Sequence, residues 1–206
     1  MTESLTLYGS LTSPFVRAVR IAAQELDLPV TFEDTVVKPT QVNRAYGDAV
    51  NPLRRVPALR TETGEVIVDS RVILEYLNAK AGGALIPADP AARVARLNLH
   101  AVVAGATEAL VLAMYESVLR PEERRWPEWI DDQINKAETT FDWVEARVDD
   151  YAAAFDVAGI GLVCLVGYAD LRFPDRNWLA DRPRLTAYMD SVADRSSVAD
   201  TQPPKA

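Results

Sequence analysis

Cysteine and histidine are almost absent from this sequence. Its 206 residues contain one of each, Cys164 and His100. A single cysteine excludes an intrachain disulfide, which fits a reducing cytoplasm. There is no C-x-x-C pair, so a dithiol redox cycle is excluded as well. We interpret Cys164, which lies in an apolar run, as a small buried hydrophobe and His100 as a structural residue of a long helix, and we expect no metal site.

Basic charge and long apolar runs are also scarce. The formal net charge is −8 and the sequence pI is near 4.8, which argues against a nucleic-acid partner because such a partner requires a basic face. The longest uncharged apolar run, residues 157–169, is too short to cross a membrane. The polar start at residues 1–4 shows no secretory signal. With 49% hydrophobic and 25% charged residues, the composition indicates a cytoplasmic globular protein without a membrane or nucleic-acid partner.

The start of the chain predicts a strand, a loop and a helix. Alternating leucines at residues 5–8 favour a short strand. Ser13 is a preferred N-cap residue, Pro14 suits the first helical position, and apolar residues then recur at helical spacing as far as Leu26. The Ser13 hydroxyl is thereby predicted at the positive end of a helix, which favours an anion and lowers the pKa of a thiol held there. A plain helix cap is the alternative interpretation of Ser13, and Tyr8 is expected to face the core.

The order of elements up to residue 80 predicts an α/β domain. The expected elements are a strand at 5–8, a helix at 14–26, a strand at 30–34, a weak helix at 41–46, a hairpin at 56–68 and a helix at 71–81. This is the order of a thioredoxin-like fold, with a four-stranded mixed sheet and helices on both faces. Asp69 or Ser70 is expected to cap the last helix, and Arg71 and Glu75 are spaced for an i,i+4 ion pair.

The rest of the chain predicts an all-helical bundle. Residues 81–90 hold two glycines and two prolines, and we expect the stretch 81–89 to link a domain at 1–80 to a second domain at 90–206. Helices are expected at 91–119, 122–148, 156–171 and 183–194. The third of these is apolar on all sides and should lie at the centre of the bundle. The polar tail after residue 195 is expected to be irregular.

Four segments carry a resemblance to a known family. They are residues 12–17 (TSPFVR), 51–59 (NPLRRVPAL), 69–70 (DS) and 85–87 (LIP). In this order and spacing they resemble the cytosolic glutathione transferases, and the N-P-x-x-x-V-P-x-L segment is the most specific of them. The resemblance covers nearly the whole chain. Within the family the chain resembles bacterial members whose active-site residue is serine, and this resemblance extends to residues 200–206.

The resemblance implies a glutathione site. It implies a cis peptide bond before Pro57, which turns the N–H and C=O of Val56 toward the cysteinyl amide of glutathione. Ser70 would take the γ-glutamyl carboxylate with the nearby helix N–H groups, and Asp69 would lie near the γ-glutamyl ammonium. Arg55 is placed to reach the glycine carboxylate. Taken singly, the same residues are also explained as helix caps, a solvated charge and a strand-edge proline.

Ser13 is implied to hold the sulfur. A free thiol has a pKa near 8.5, and one hydroxyl hydrogen bond of about 1.5–3 kcal/mol, with about 0.3–1 kcal/mol from the helix end, suffices to lower it by about two units. No general base is then required. Thr12 and Ser10 are the alternative contacts to the sulfur. The second substrate is expected between Ser13 and the facing helices, against walls formed by Leu11, Leu112 and Tyr115, with Val111 or Leu119 as further candidates.

The resemblance implies a glutathione transferase, which conjugates the thiolate of reduced glutathione to a small hydrophobic electrophile. A glutathione-dependent isomerase or dehalogenase would use the same thiolate. Alternatives of another class are a glutathione-binding stress or regulatory module with little catalysis, and a thioredoxin-like adaptor that binds no glutathione. A homodimer is implied too, which buries parts of the helices at 69–80 and 91–119.

The sequence departs from the family pattern in two places. Ser13 stands where the glutaredoxin-type branches carry cysteine, so deglutathionylation by a thiol at this position is not expected. The family usually begins the central helix of its second domain with a capping box, Ser or Thr followed three residues on by Asp. Asp156 and Gly159 occupy these positions here, so the reciprocal carboxylate is missing. With Gly161 nearby, we expect a weakened helix start.

Overall fold

A four-stranded mixed sheet forms the first part of the molecule, as predicted. The computed structural model describes residues 4–204, so the polar start at residues 1–3 and the last two residues of the tail lie outside it. The strands are β1 (Leu5–Gly9), β2 (Val30–Asp34), β3 (Ala58–Arg60) and β4 (Val66–Ile67). Their order is β2-β1-β3-β4, with β1 and β2 parallel and the other neighbours antiparallel. Leu7 lies opposite Phe32 on one side and Leu59 on the other.

Nine helices accompany the sheet within residues 4–204. They are α1 (Pro14–Glu25), α2 (Arg44–Ala49), α3 (Ser70–Lys80), α4 (Pro90–Leu119), α5 (Pro127–Glu145), α6 (Val148–Ala152), α7 (Val157–Arg172), α8 (Pro183–Ala193) and α9 (Ser196–Ala199). Helices α1 and α3 cover one face of the sheet, where Leu5 and Leu7 are buried. Helix α2 covers the other face, where Tyr46 packs edge-on against Tyr8. Tyr8 therefore faces the core, as predicted.

Helix α7 lies at the centre of the helical part, as its uniform apolarity predicts. It packs on α4 over its length and also contacts α1. Cys164 in its middle is buried, and burial raises the pKa of this thiol to about 12, so the thiol is inert. By length and composition alone α4 passes the test for a membrane-crossing helix. Core helices of folded proteins pass the same test, and 44% of the most apolar window of α4 is buried in the fold.

Two predicted helices have different bounds in the structure. The weak helix expected at 41–46 forms three residues later, as α2. The long helix expected at 122–148 is interrupted, because a 3₁₀ turn at Glu122–Arg124 precedes α5, which begins at Pro127, and a short α6 follows. Proline is favoured at a first helical position and disfavoured inside a helix, which explains the interruption.

The predicted ion pair within α3 is wrong. Arg71 pairs instead with Glu108 of α4, and Glu75 pairs with Arg93 in the first turn of α4. An i,i+4 pair on one helix contributes only about 0.2–0.5 kcal/mol, so a partner on a packed neighbouring helix competes easily. Both pairs thus connect α3 to the helical part of the molecule.

The prediction of an irregular tail after residue 195 is wrong for its first part, whereas residues 202–204 are irregular as predicted. The first part forms α9, and Thr201 beyond this helix is fully buried. Glu25 at the end of α1 binds both Arg195 and Ser197. Arg195 and Ser197 at the start of the tail therefore have a hydrogen-bond partner on α1.

A long-range ion pair supports the start of α7 in place of a capping box. Asp156 is the N-cap, and its carboxylate accepts a backbone N–H of the first turn at 2.9 Å. Arg96 of α4 binds the same carboxylate through two nitrogens, with 2.7 Å between Nη2 and Oδ1. Gly161 allows close packing here, since a Cβ would lie 2.8 Å from Nδ1 of His100. The weakness expected at this helix start is therefore offset by contacts from α4.

We expect the stability of the protein to depend on pH because His100 is buried. It is 7% exposed, and its Nδ1 lies 3.0 Å from the C=O of Val157, as expected of a structural residue. Burial holds the pKa of His100 below its usual value, which is about 6.5, so the folded protein retains a neutral imidazole where the unfolded chain binds a proton. We expect the free energy of unfolding to fall as the pH decreases from about 6.5 toward the lowered pKa, by at most about 1.4 kcal/mol per pH unit.

Chemical denaturation across this pH range measures the effect, and the NMR titration of this single histidine gives its pKa. His100→Asn keeps a donor for Val157 and removes the titrating group. The difference between the two stability profiles therefore isolates His100. Identical profiles, or a pKa at or above the usual value, would contradict the prediction.

Candidate functional site

The loop between β1 and α1 presents Ser13 as the N-cap of α1, as predicted. The backbone of Ser13 is extended, and its Oγ accepts a hydrogen bond from the N–H of Val16 at 3.3 Å. The end of β1 lies close to Val16 of α1. Position 9 must therefore be glycine, because a Cβ there would lie 2.5 Å from a Val16 methyl. The hydroxyl hydrogen of Ser13 has no acceptor within residues 4–204. A serine hydroxyl that already accepts can still donate, so this hydrogen is available to a ligand.

Ser13 borders a shallow cleft between the β1–α1 loop, α1 and α7. Its other lining residues come from that loop, from α7 and from the tail, and they include Leu11, Thr12, Tyr168, Leu171 and Pro203. The hydroxyls of Ser10 and Thr12 lie 3.1 Å apart and are engaged with each other. One hydroxyl of this pair donates and the other keeps its hydrogen, so Thr12, which also lines the cleft, is an alternative donor beside Ser13.

A buried arginine lies one turn after Ser13. Arg17 also lines the cleft and is 6% exposed. Its guanidinium donates to the C=O of Val163 on α7 at 3.4 Å and to that of Val198 on α9 at 3.2 Å. No carboxylate of the described chain pairs with it. Its positive charge is therefore left to act on an anion held at the start of α1.

The peptide bond between Val56 and Pro57 is cis, as the resemblance implies. The side chains of Tyr46 and Asn51 both donate to the C=O of Arg55, at 3.0 and 2.8 Å, and so hold the segment before this bond. The N–H and C=O of Val56 make no hydrogen bond to any other residue that the structure describes. The segment thus offers one donor and one acceptor to an extended peptide ligand.

Asp69 and Ser70 lie at the start of α3. Asp69 is exposed and is the N-cap, with its Oδ1 accepting the N–H of Arg71 at 2.9 Å. Ser70 is 9% exposed and lines a second, small cavity beneath α1. Pro14 lines both cavities. Cys164 also lines both, so Ser13 and Ser70 border two adjoining cavities on either side of Pro14.

Arg55 and Tyr115 lie within electrostatic reach of each other, although they are 60 positions apart in the chain. Tyr115 on α4 is half-buried, and burial raises its pKa while the charges of Arg55 and Arg172 oppose the rise. Leu11 and Leu112 are 39% and 45% exposed. Of the three expected wall residues, Leu11 lines the cleft described above, whereas Leu112 and Tyr115 lie on the adjacent α4.

Three residues near the cleft have no role assigned to them by the sequence motifs, although Arg17 ends the segment 12–17. Arg17 has a detectable signal, since it is a charge within the apolar face of α1. Tyr168 and Arg172 lie four positions apart and so share one face of α7. Because α7 is apolar almost throughout, its sequence does not indicate which face meets the cleft.

Family comparisons account for both parts of the chain. A model of the glutathione S-transferase N-terminal domain matches residues 7–84, and one of the C-terminal domain matches residues 127–191. Over 206 aligned residues, 98% of this chain, it is 32% identical to the whole of the uncharacterized GST-like protein YibF of Escherichia coli strain K12. The chain belongs to the glutathione S-transferase family.

Solved structures of glutathione transferases share this fold. A family member from Pseudomonas fluorescens Pf-5, solved with bound glutathione, is 38% identical with a TM-score of 0.93, over 98% of this chain and 100% of that one. A second structure from the same strain, with bound S-(propanoic acid)-glutathione, is 38% identical with a TM-score of 0.88 and the same coverage. These likenesses confirm the thioredoxin-like sheet followed by a helical bundle in this transferase-family chain.

Proposed function

We propose that the protein binds reduced glutathione at the start of α1 and conjugates its thiolate to a small hydrophobic electrophile. The observation that carries this proposal is the uncommitted hydroxyl hydrogen of Ser13 in a cleft that also contains the buried charge of Arg17. A thiolate placed there accepts the hydroxyl hydrogen and meets the positive end of α1. Family members solved with bound glutathione support this assignment.

The chemistry follows from the pKa of the thiol. A hydroxyl donor of about 1.5–3 kcal/mol lowers a thiol pKa of about 8.5 by one to two units, and the helix end and Arg17 add to this. Thiolate then predominates near neutral pH without a general base. The sulfur forms a bond to the electrophilic carbon, and either the leaving group departs with its electron pair or the π pair of an activated double bond moves to the next carbon, giving a carbanion that takes a proton from water.

The peptide portion of glutathione is held by the segments around Pro57 and the start of α3. In this proposal the N–H and C=O of Val56 pair with the cysteinyl amide as a strand would. Arg55 binds the glycine carboxylate, while Asp69 and Ser70, with the first N–H groups of α3, bind the γ-glutamyl ammonium and carboxylate. The three wall residues Leu11, Leu112 and Tyr115 surround the second substrate. Since a P. fluorescens family member holds glutathione with a substituent on its sulfur, we propose that this space accepts one too.

Replacing Arg55 by glutamine is expected to weaken glutathione binding about tenfold, because a charge-assisted hydrogen bond to the glycine carboxylate is lost. Titration calorimetry with reduced glutathione measures this. Arg124→Gln, which removes an exposed arginine far along the chain, is the matched control and should bind as the wild type does. No binding by the wild type would overturn the proposal. Binding without turnover of any electrophile would favour the glutathione-binding module, and turnover without a conjugate would favour an isomerase.

We also propose that the protein is a cytoplasmic homodimer. Val72 on α3 and Val94 on α4 are 52% and 67% exposed, so both helices present apolar surface. These are the two helices that the family resemblance assigns to the interface, and pairing them would remove that surface from water. A single cysteine fits a reducing compartment. Sedimentation velocity would show a dimer, and a monomer at all concentrations would overturn this part.

A further inference from the structure

An arginine at the end of α7 lacks a partner. Arg172 is the last residue of this helix, and its Nε is buried without a hydrogen bond. Its guanidinium carbon lies 5.7 Å from the centre of the Tyr168 ring. No carboxylate within residues 4–204 forms an ion pair with it. A buried N–H group that loses water without gaining an acceptor costs free energy, so an acceptor bound at the Nε of Arg172 would remove this cost.

Two tyrosines connect Arg172 to the cleft. Tyr168, one turn earlier on α7, lines the cleft beside Ser13. Tyr115 on α4 is half-buried, and its hydroxyl makes no hydrogen bond in the part of the chain that the structure describes. Burial raises the pKa of Tyr115 and raises the pKa of Tyr168 to about 12, and the charge of Arg172 opposes both rises. Arg172, Tyr115 and Tyr168 therefore form one cluster, the arginine–tyrosine cluster, on the helical side of the cleft.

The arginine–tyrosine cluster is positive and has no acid to balance it. Asp170 is the nearest acid in sequence, and burial alone raises its pKa, with no contribution from Arg172. Arg55 adds a second positive charge within reach of Tyr115. The cluster thus presents a cation whose Nε–H lacks an acceptor within residues 4–204, together with the Tyr115 hydroxyl, on the side of the cleft that Tyr168 lines.

We propose that the second substrate carries a carboxylate, which Arg172 binds through its unpartnered Nε–H and an adjacent guanidinium N–H while Tyr115 donates a further hydrogen bond. Arginine suits this role because its planar fork of donors matches the two oxygens of a carboxylate. This inference rests on the proposed function, since it concerns the same thiolate. For an aryl chloride bearing a carboxylate, the sulfur–carbon bond forms, the carbon–chlorine bond breaks, and chloride leaves with the electron pair. The carboxylate takes no part in bond making.

Two glutathione conjugates of equal size separate charge from shape. S-(2-carboxyethyl)glutathione ends in a carboxylate where S-(2-carbamoylethyl)glutathione has a neutral amide. Titration calorimetry measures the binding of both compounds without any catalysis. We expect the wild type to bind the acid about tenfold more tightly than the amide, as one charge-assisted contact implies. Arg172→Gln should abolish this preference and Arg172→Lys should retain part of it. Arg176→Gln is the matched control, since Arg176 pairs with Glu138 at the surface, and should leave the preference unchanged.

Equal affinity of the wild type for the two conjugates would overturn the inference. An unchanged preference in Arg172→Gln would also overturn it and would leave Arg172 as a counter-charge to the helix C-terminus. If Arg172→Gln does not fold, Tyr115→Phe takes its place and should reduce the preference. Reduced glutathione is titrated alongside. Failure to bind it signals that the proposed function is wrong, whereas binding it without a preference for the acid signals that only this inference is wrong.

Discussion

Asp156→Ala is expected to lower the free energy of unfolding by about 3–5 kcal/mol, the usual cost of leaving one partner of a buried ion pair uncompensated. The side chain of Asp156 is 7% exposed and that of its partner Arg96 is 13% exposed, so water does not replace the lost contact. The substitution also removes the N-cap of α7, which alone is worth about 1 kcal/mol. Since α7 is the central helix, its loosened start should be felt in global stability. Urea denaturation followed by circular dichroism measures the change.

Two further variants separate the cap from the charge. Asp156→Asn keeps a side-chain oxygen for the cap and loses the ion pair, so it should fall between the wild type and Asp156→Ala. In the double variant Arg96→Met with Asp156→Ala no charge is left unpaired, and its loss should be smaller than the sum of the single losses. Glu138→Ala breaks a surface pair with Arg176 and should cost less than about 1 kcal/mol. A loss below about 1 kcal/mol for Asp156→Ala would contradict the assignment.

Local signals predict the elements around Ser13 and Pro57 because each signal acts within a few residues. A cap followed by proline begins a helix wherever it occurs, and α1 begins as predicted. The alternation at residues 5–8 predicts β1, and the glycine- and proline-rich stretch at 81–90 falls between α3 and α4. The four-stranded sheet and the helical bundle follow from such signals together with the family resemblance.

Contacts between distant residues are not predictable in this way. Arg96 and Asp156 lie 60 positions apart, and Arg17 donates to Thr201 across 184 positions. The sequence predicts an irregular tail and gives no partner for Arg17, yet Arg17 and the tail residue Thr201 are both buried and in contact. The sequence shows that Arg17 is polar. Only the packing of α1 against α7 and α9 shows which groups it binds.

The candidate site follows the same division. The cis bond at Pro57 and the cap at Ser13 agree with the sequence because both belong to short segments. The walls of the cleft do not agree with the sequence in this way, since they form where separate elements of the chain meet. Tyr168 and Arg172 become neighbours of the cleft through the orientation of α7, and Ser70 borders a cavity that adjoins the cleft of Ser13. The spacing of residues within one segment does not show which side chains from different elements border the same cavity.

Ser13→Ala is expected to raise the pKa of bound glutathione by one to two units and to lower kcat/KM at neutral pH by about 10- to 100-fold, because a charge-assisted hydrogen bond of about 1.5–3 kcal/mol is lost. The helix end and Arg17 remain, so the pKa should stay below that of the free thiol. Ultraviolet absorbance of the thiolate against pH gives the pKa, and initial rates with a neutral aryl chloride give kcat/KM. The pH at which the rate levels off should rise with the pKa.

The neighbouring hydroxyls decide between a sulfur donor and a plain cap. Ser13→Thr retains both the cap and the donor and should restore most of the rate, whereas Ser10→Ala removes a hydroxyl that is engaged with Thr12 and should change it less than twofold. A cap-only role predicts a loss of about 1 kcal/mol in stability with the thiol pKa unchanged. If the pKa is unchanged in Ser13→Ala and rises in a Thr12 or Ser10 variant, the donor to the sulfur is that residue. The thiol pKa therefore distinguishes the two roles, because loss of a helix cap alone does not alter it.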